Sequence, residues 1–223
     1  MDVDVLCERW PHATREQQHA WVQKVRFAVD LDEGHVPALV ELYQVVLKSG
    51  GEMQRFMEEA LLAAFARIGS AASLPFLRQL LTPPRPPTRV SAAQVVEVVG
   101  EIAARTAAEP ALALLASSLD HEDADVRDMA ASAIVRAYQG RPLPVPIMDR
   151  LHELLRGDPD RHVRLAAGLA LQAIGAVSPV ETLFWAAGMA GWEEEFDLAT
   201  DDVRVGDTQA PSIQSLNEDW DLG

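Results

Sequence analysis

The chain of 223 residues has one cysteine, 6% aromatic residues, and only 19 lysines and arginines against 34 aspartates and glutamates. Each shortage excludes something. Cys7 alone cannot close an intramolecular disulfide or supply a multi-cysteine zinc site, which fits a reducing compartment. A formal net charge of −15 sets a mean field that repels a phosphate backbone, so general nucleic-acid binding is not expected. No apolar run reaches the roughly 18 residues needed to span a bilayer. The opening Met1-Asp2-Val3-Asp4 is acidic where a secretory leader would be basic. These features together predict a cytoplasmic protein with no membrane partner. Strand signals are nearly absent too, which removes β and α/β classes and leaves an all-α fold.

What is present is helical periodicity, from about residue 15 to about residue 190. Caps and breakers divide it. Thr14 with Gln17 forms a capping box, Gly50-Gly51 closes the helix that Pro37 helps to open, and Ser178-Pro179-Val180-Glu181 is the clearest helix start. The predicted helices run about 15–29, 36–49, 52–68, 73–81, 89–104, 109–119, 124–138, 146–156, 161–174 and 178–190.

The chain also repeats itself. Asp123, Val126, Arg127, Ala130, Ala133 and Ile134 return as Asp160, Val163, Arg164, Ala167, Ala170 and Leu171, all displaced by 37. The helices before them align at 36, Ala111, Leu115 and Leu119 returning as Ile147, Leu151 and Leu155. Fainter copies are expected upstream, with Ala93 and Val96 standing 37 before Ala130 and Ala133. An N-cap aspartate followed by apolar residues at i, i+4, i+7 and i+8 makes one narrow stripe rich in alanine. A single helix pair cannot bury such a stripe, so successive pairs must stack.

At these residues the chain resembles the HEAT repeat family, in particular its phycobilisome-lyase-like subclass. The likeness is carried by Asp158-Pro159-Asp160-Arg161-His162-Val163-Arg164-Leu165-Ala166-Ala167 and the closing Ala173-Ile174-Gly175. It is specific over residues 109–191 and looser over 52–108. The resemblance implies an all-α, right-handed α-solenoid of about five helix pairs over residues 1–191, with 1–51 as an N-terminal cap region. It also implies that Arg127 and Arg164 form ladders with the loop aspartates of adjacent repeats. Phe184 and Trp185, in the last predicted helix, are expected to cover the final apolar stripe.

From residue 192 the composition changes. Residues 192–223 hold ten aspartates and glutamates and only Arg204 as a base, the signature of a solvated acidic tail. Aromatic residues stand among these acids, and Trp192, Phe196 and Trp220 are therefore candidates for partner contact.

Enzymes built on HEAT repeats offer three tests. The deoxyhypusine hydroxylases hold two irons through His-Glu pairs at the starts of repeat helices. Here His121-Glu122 precedes an N-cap, His152-Glu153 lies mid-helix, and His162 is followed by Val163, so neither a metal site nor another cofactor is expected. HEAT-like DNA glycosylases use a basic concave face, whereas Arg127, Arg136, Arg161 and Arg164 are few and two belong to the ladder. For the pigment lyases of the subclass name, nothing beyond the repeat is present. Cys7 lacks a histidine partner and reads as a packing residue.

What remains is surface. If the family pattern holds, the helices 52–68, 89–104, 124–138 and 161–174 line a concave face. Their non-core positions are Arg55, Glu59, Gln94, Glu97, Glu101, Asp128, Arg136, Arg161 and Gln172. This mixed, hydrophilic lining suits a peptide or a folded protein, a basic one by charge. The expected function is a noncatalytic scaffold or adaptor. Two alternatives stand beside it: an inhibitor or immunity protein for a basic toxin or nuclease, and a HEAT-type enzyme, either a modification lyase or a DNA-repair glycosylase.

Overall fold

The computed structural model describes residues 2–188, and among these the chain is wholly helical, with eleven α-helices, three short 3-10 turns and no strand. The helices are α1 Val3–Arg9, α2 Arg15–Phe27, α3 Val36–Ser49, α4 Gln54–Ile68, α5 Leu74–Leu81 and α6 Ala92–Thr106. They continue as α7 Glu109–Ser118, α8 Ala124–Ala137, α9 Val145–Gly157, α10 Arg161–Ala173 and α11 Pro179–Ala186. The boundary expected at residue 191 and the acidic segment after it lie outside the described residues, as do Trp192, Phe196 and Trp220.

Caps set the boundaries. The Thr14–Gln17 and Ser178–Glu181 boxes are both closed reciprocally, and Asp123 and Asp160 accept first-turn amides of α8 and α10. Three boundaries depart most from the sequence expectation, one of them the end of α11, at Ala186 rather than about 190. The helical region begins at Val3, where Asp2 caps α1 by accepting from the Val5 amide; two turns carry too few apolar positions to show a period. Helix α6 starts at Ala92 rather than 89, because Ser91 and Gln94 form a third capping box.

The even-numbered helices α2, α4, α6, α8 and α10 each pack against the next in that series, while α3, α5, α7 and α9 pack against the even-numbered helix that follows. The series is held by one repeated stripe. Met57, Leu61, Ala64 and Phe65 in α4 are fully buried, and so are Val95, Val99, Ile102 and Ala103 in α6. The same spacing recurs with Val126, Ala130, Ala133 and Ile134 in α8 and with Val163, Ala167, Ala170 and Leu171 in α10. Each buried large apolar side chain contributes about 1.5–3 kcal/mol. The stripe corrects the upstream copy: α6 aligns with α8 through Val95 and Val126, a displacement of 31 rather than 37. Ala93 is only half-buried, and the buried stripe fixes the register; the N-caps Ser91 and Asp123 stand 32 apart.

Arginines join successive helices. Arg127 donates from Nε and Nη2 to Asp158 at 2.7 and 2.9 Å, and from Nη1 to the carbonyls of His121 and Glu122. This rung, tying α8 to the loop before α10, matches the implied ladder. Arg164 departs from it: its guanidinium donates to the backbone carbonyls of Asp158, Pro159, Trp185 and Ala186 and to no carboxylate among the described residues. The chain ahead of it offers a helix end, where unsatisfied carbonyls favour a cation. Arg67 and Arg105 do similar work unforeseen from sequence, donating to the last carbonyls of α2 and to the Arg67 carbonyl in α4.

The last described helix also differs from expectation. Thr182 and Ala186 are its buried residues, Trp185 is half-buried against the core, and Phe184 rests edge-on against Trp185 at 5.3 Å. Thr182 reaches the interior because Gly168 has no side chain. A Cβ there would fall 2.6 Å from Thr182 Cγ2 and 3.0 Å from Leu155 Cδ1. Gly168→Ala is therefore expected to cost about 1–3 kcal/mol through overpacking, measured as a lower urea midpoint at unchanged slope.

Candidate partner-binding site

The row of even-numbered helices carries the expected surface residues, and between α4 and α6 it brings four of them together. Glu59, Gln94, Glu97 and Glu101 line a cleft of about 320 Å³ whose remaining wall is Leu62, Ala63, Ala66 and Val98. Helical spacing explains the grouping. Glu59, Ala63 and Ala66 fall at i, i+4 and i+7, and Gln94, Glu97, Val98 and Glu101 repeat that interval on α6, so each helix contributes one strip. Small side chains at 63 and 66 leave the space. The cleft is thus lined by apolar and acidic side chains from both helices, with Leu62 and Val98 buried, Glu59 and Glu101 half-buried, and Ala63 and Glu97 exposed.

Charge around the edge is partly neutralised. Glu59 pairs with Arg55 at 2.9 Å on its own helix and with Arg26 of α2 at 3.6 Å. Glu101 pairs with Arg136 of α8 at 3.7 Å. Gln94 is held by its cap, its side-chain oxygen accepting the Ser91 amide. Glu97 is exposed and has no hydrogen-bond or ion-pair partner among the described residues. These pairs are solvent-facing, and each is worth under about 1 kcal/mol, so an incoming charge can rearrange them.

The other candidates are not part of this cleft. Asp128 is half-buried on α8; burial pushes its carboxyl above the ordinary value, opposed by the His162 charge and reinforced by Asp125 and Asp160. Arg161 is exposed in the first turn of α10, and Gln172 is half-buried near its end. Arg136 also lines a hollow of about 680 Å³ beside the 138–143 loop, with Tyr138, Arg141 and Ile174.

Sequence reading did not single out the cleft's apolar lining, Leu62, Ala63, Ala66 and Val98. Their i+4 and i+7 relation to Glu59 was the available signal. It also missed a groove of about 530 Å³ between α2 and α4, lined by Arg15, His19, Val22, Arg26, Met53 and Phe56. Phe56 is a large hydrophobic side chain left 49% exposed there, so this groove also has an apolar wall.

His121 and His162 serve at helix starts, whereas His152 Nδ1 is buried without a hydrogen-bond partner among the described residues. His121 Nδ1 accepts the Asp123 amide at 3.0 Å, and the His162 amide donates to Asp160. No group of three or more potential ligands is placed to hold a metal ion among the described residues. Cys7 is half-buried in α1 with its thiol toward the Ala38 carbonyl. Burial, with Glu41 and Asp4 adding to it, raises that thiol to about 11, leaving it protonated and unreactive at neutral pH. No helix among the described residues is long and apolar enough to cross a membrane. Comparison with protein-family models, with curated proteins and with solved structures gives no match.

Proposed function

We propose that the chain is a HEAT-type α-solenoid that binds a protein or peptide through the face formed by α2, α4, α6, α8 and α10, acting as a noncatalytic scaffold or adaptor. The observation that carries this reading is the meeting of Glu59, Gln94, Glu97 and Glu101 in one cleft with Leu62, Ala63, Ala66 and Val98. Apolar and polar side chains side by side suit a protein interface, and the helix series supplies the rigid frame on which grooves persist. The repeat at 37 and the rung from Arg127 to Asp158 support the solenoid part. A net charge of −15 favours a basic partner, because opposite fields raise association rates. Capture of a basic protein by an inhibitor is the version that this charge favours.

The test is affinity capture from host lysate with the full chain, a face variant combining Phe56→Asp with Ala63→Asp, and a variant on the odd-helix side, Glu109→Arg. The reading expects one protein at near-equal stoichiometry with the wild type and Glu109→Arg, and its loss with the face variant. Retention of that protein by the face variant would place binding elsewhere and overturn the assignment of the face. Failure of all three to retain any protein would overturn the scaffold reading.

A further inference from the structure

We propose that the groove between α5 and α7 takes a short acidic segment of a partner protein, its apolar side chains lying over Leu74 and Leu114 and a carboxylate meeting Arg78. This surface belongs to the odd-numbered helices, so the inference stands apart from the reading of the even-numbered face. It begins with charge. In a chain of net charge −15, residues 60–96 hold Arg67, Arg78, Arg85 and Arg89 and no aspartate or glutamate. Arg67 is engaged by the carbonyls of Val25 and Arg26. Arg78 and Arg89 are exposed, and their side chains have no hydrogen-bond or ion-pair partner among the described residues. Arg15, Arg26, Arg55, Arg136 and Arg150, by contrast, each pair with a carboxylate.

Arg78 lines a groove of about 520 Å³, within the range of ligand clefts, about 300–1,000 Å³. Leu74 and Leu114 are nearly buried beneath it, and Pro75 and Pro110 add exposed hydrocarbon. Gln79 and Thr82 stand exposed beside Arg78 as its other polar groups. Helix phase explains the set: Leu74, Arg78 and Thr82 fall at i, i+4 and i+8, and Pro110 and Leu114 at i and i+4. The surface is also held in place. Four prolines between 83 and 87 stiffen the segment after α5. That segment is fastened by Arg85 Nε on the Leu80 carbonyl at 2.7 Å and by Gln54 on the Pro87 carbonyl at 3.1 Å. A partner therefore has little of this surface to order on binding, which lowers the entropic cost.

Apolar floor and unpaired guanidinium together select the occupant. A segment without charge would strip water from Arg78 without pairing it, and a basic one would meet a like charge. A nucleic acid fits less well, because the net charge repels a phosphate backbone and no aromatic ring lines the groove for a base to stack on. For a short peptide the local charge decides, since at physiological salt exposed charges more than about 8 Å apart are largely screened. Arg78 is the group assigned to the carboxylate; the Arg85 charge already acts on the Tyr43 phenol, which donates to the buried Glu58. Acids mark the opposite end of the groove. Glu33 accepts from the Ser70 hydroxyl just ahead of α5, and Glu109 opens α7. The carboxylates of the segment therefore belong at the Arg78–Thr82 end.

The experiment uses the full chain labelled with 15N and a synthetic peptide, Ser-Leu-Leu-Glu-Glu-Ser with blocked ends, titrated at physiological salt. Parallel titrations use the same peptide with glutamine in place of glutamate, the same peptide with serine in place of leucine, and oligothymidylate. Amide shifts are expected to concentrate at Leu74, Arg78, Gln79, Thr82 and Leu114 with the first peptide, and to be absent with the other three probes. Arg78→Glu is expected to weaken binding at least tenfold and Arg78→Ala about threefold, the range for an exposed pair. Arg9→Ala, the same charge change on α1, is expected to alter it by less than twofold.

Equal binding of the peptide that lacks leucine, or equal weakening by Arg78→Ala and Arg9→Ala, would mean that only charge is sensed and would overturn the inference. So would oligothymidylate moving the same amides as strongly, which would make the surface a phosphate site, or a lack of localised shifts with the first peptide. The comparison among probes is made on the wild-type chain and stands whether or not the variants fold. The two readings fail separately: a protein captured through the even-numbered face is expected to be retained by Arg78→Glu.

Discussion

Arg127→Ala is expected to lower the unfolding free energy by about 3–5 kcal/mol, the scale for removing one partner of a buried ion pair. Both partners are shielded, Arg127 at 9% and Asp158 at 7% exposure, and the contact is bidentate. Alanine would leave the Asp158 carboxylate buried without its cation and would free the carbonyls of His121 and Glu122 as well. At about 2–4 °C per kcal/mol for a chain of this size, the melting temperature falls by roughly 10 °C. The pH dependence gives a second reading. Burial alone raises Asp158, but hydrogen bonds from Arg127 and the Asp160 amide, with the charges of Arg127 and Arg150, hold it below the ordinary 3.8. A carboxyl depressed in the folded state stabilises the fold above its unfolded value near pH 4, and that contribution is lost as pH falls through the lower folded value. In Arg127→Ala the hydrogen bonds and charge of Arg127 go, while the burial, the Asp160 amide and Arg150 stay, so Asp158 is depressed less and protonation relieves the variant. Its deficit relative to the wild type should be full at pH 7 and smaller at pH 3.5, by urea denaturation at both. A deficit below 1 kcal/mol, or one independent of pH, would show the rung to be solvent-screened. The double variant Arg127→Met with Asp158→Leu should recover much of the loss, since it buries no unpaired charge.

Much of this was legible beforehand because periodicity and caps are local. The stripe Val126, Ala130, Ala133 and Ile134 announces its helix within nine residues, and Asp123 announces its start. Arg127 could be placed on the ladder because its repeat partner stands 37 later in the same context. Arg164 could not be completed in the same way. A sequence shows that a guanidinium needs acceptors but not whether the chain ahead of it offers a carboxylate or a helix end. The upstream repeat was misplaced for a related reason: alanine and valine recur so often here that a displacement of 37 finds matches at Ala93 and Val96 by composition. Only the buried stripe distinguishes the register of α6: Val95, Val99, Ile102 and Ala103 stand 31 before Val126, Ala130, Ala133 and Ile134.

The candidate cleft was legible in part. Glu59, Gln94, Glu97 and Glu101 follow from helix phase alone once α4 and α6 are known to be neighbours. Which arginines reach which acids does not follow, because those pairs join different helices and depend on the distance between them. Arg26 was never a candidate, yet it reaches Glu59 from α2. Phe56 was also passed over, since a large apolar residue inside a helix is by default assigned to core.

Glu58 carries the other large expected effect, and it stands in the same place on its helix as Arg127. Each directly follows the first residue of the buried stripe, Met57 in α4 and Val126 in α8, but the sign of the charge is inverted. Arg127 fixes the loop before α10 through Asp158; Glu58 fixes the loop before α6 by accepting directly from the amides of Arg89 at 3.0 Å and Val90 at 3.3 Å. It also accepts from the hydroxyls of Thr88 and Tyr43 and from Gln54. It is fully buried, with no ion-pair partner among the described residues, and is held by these hydrogen-bond donors. Glu58→Ala strands several donors, each costing about 1–3 kcal/mol, and local opening to water recovers part of that. A net loss of about 3–4 kcal/mol follows. The loss should be local in its first consequence. The proline-rich segment between α5 and α6 would leave α4 before the remainder unfolds, so limited trypsin digestion should cut after Arg89 much faster in the variant. The Tyr43 phenol supplies an independent signal, because burial raises it and the Glu58 charge raises it further; its titration should move down when the carboxylate is removed. Glu58→Gln tests the sign of the charge itself. It preserves size and one oxygen but turns an amide NH2 toward donors, so it should restore little of the stability if charge-dipole attraction holds the loop. Recovery to wild-type stability would show instead that filling the space is sufficient.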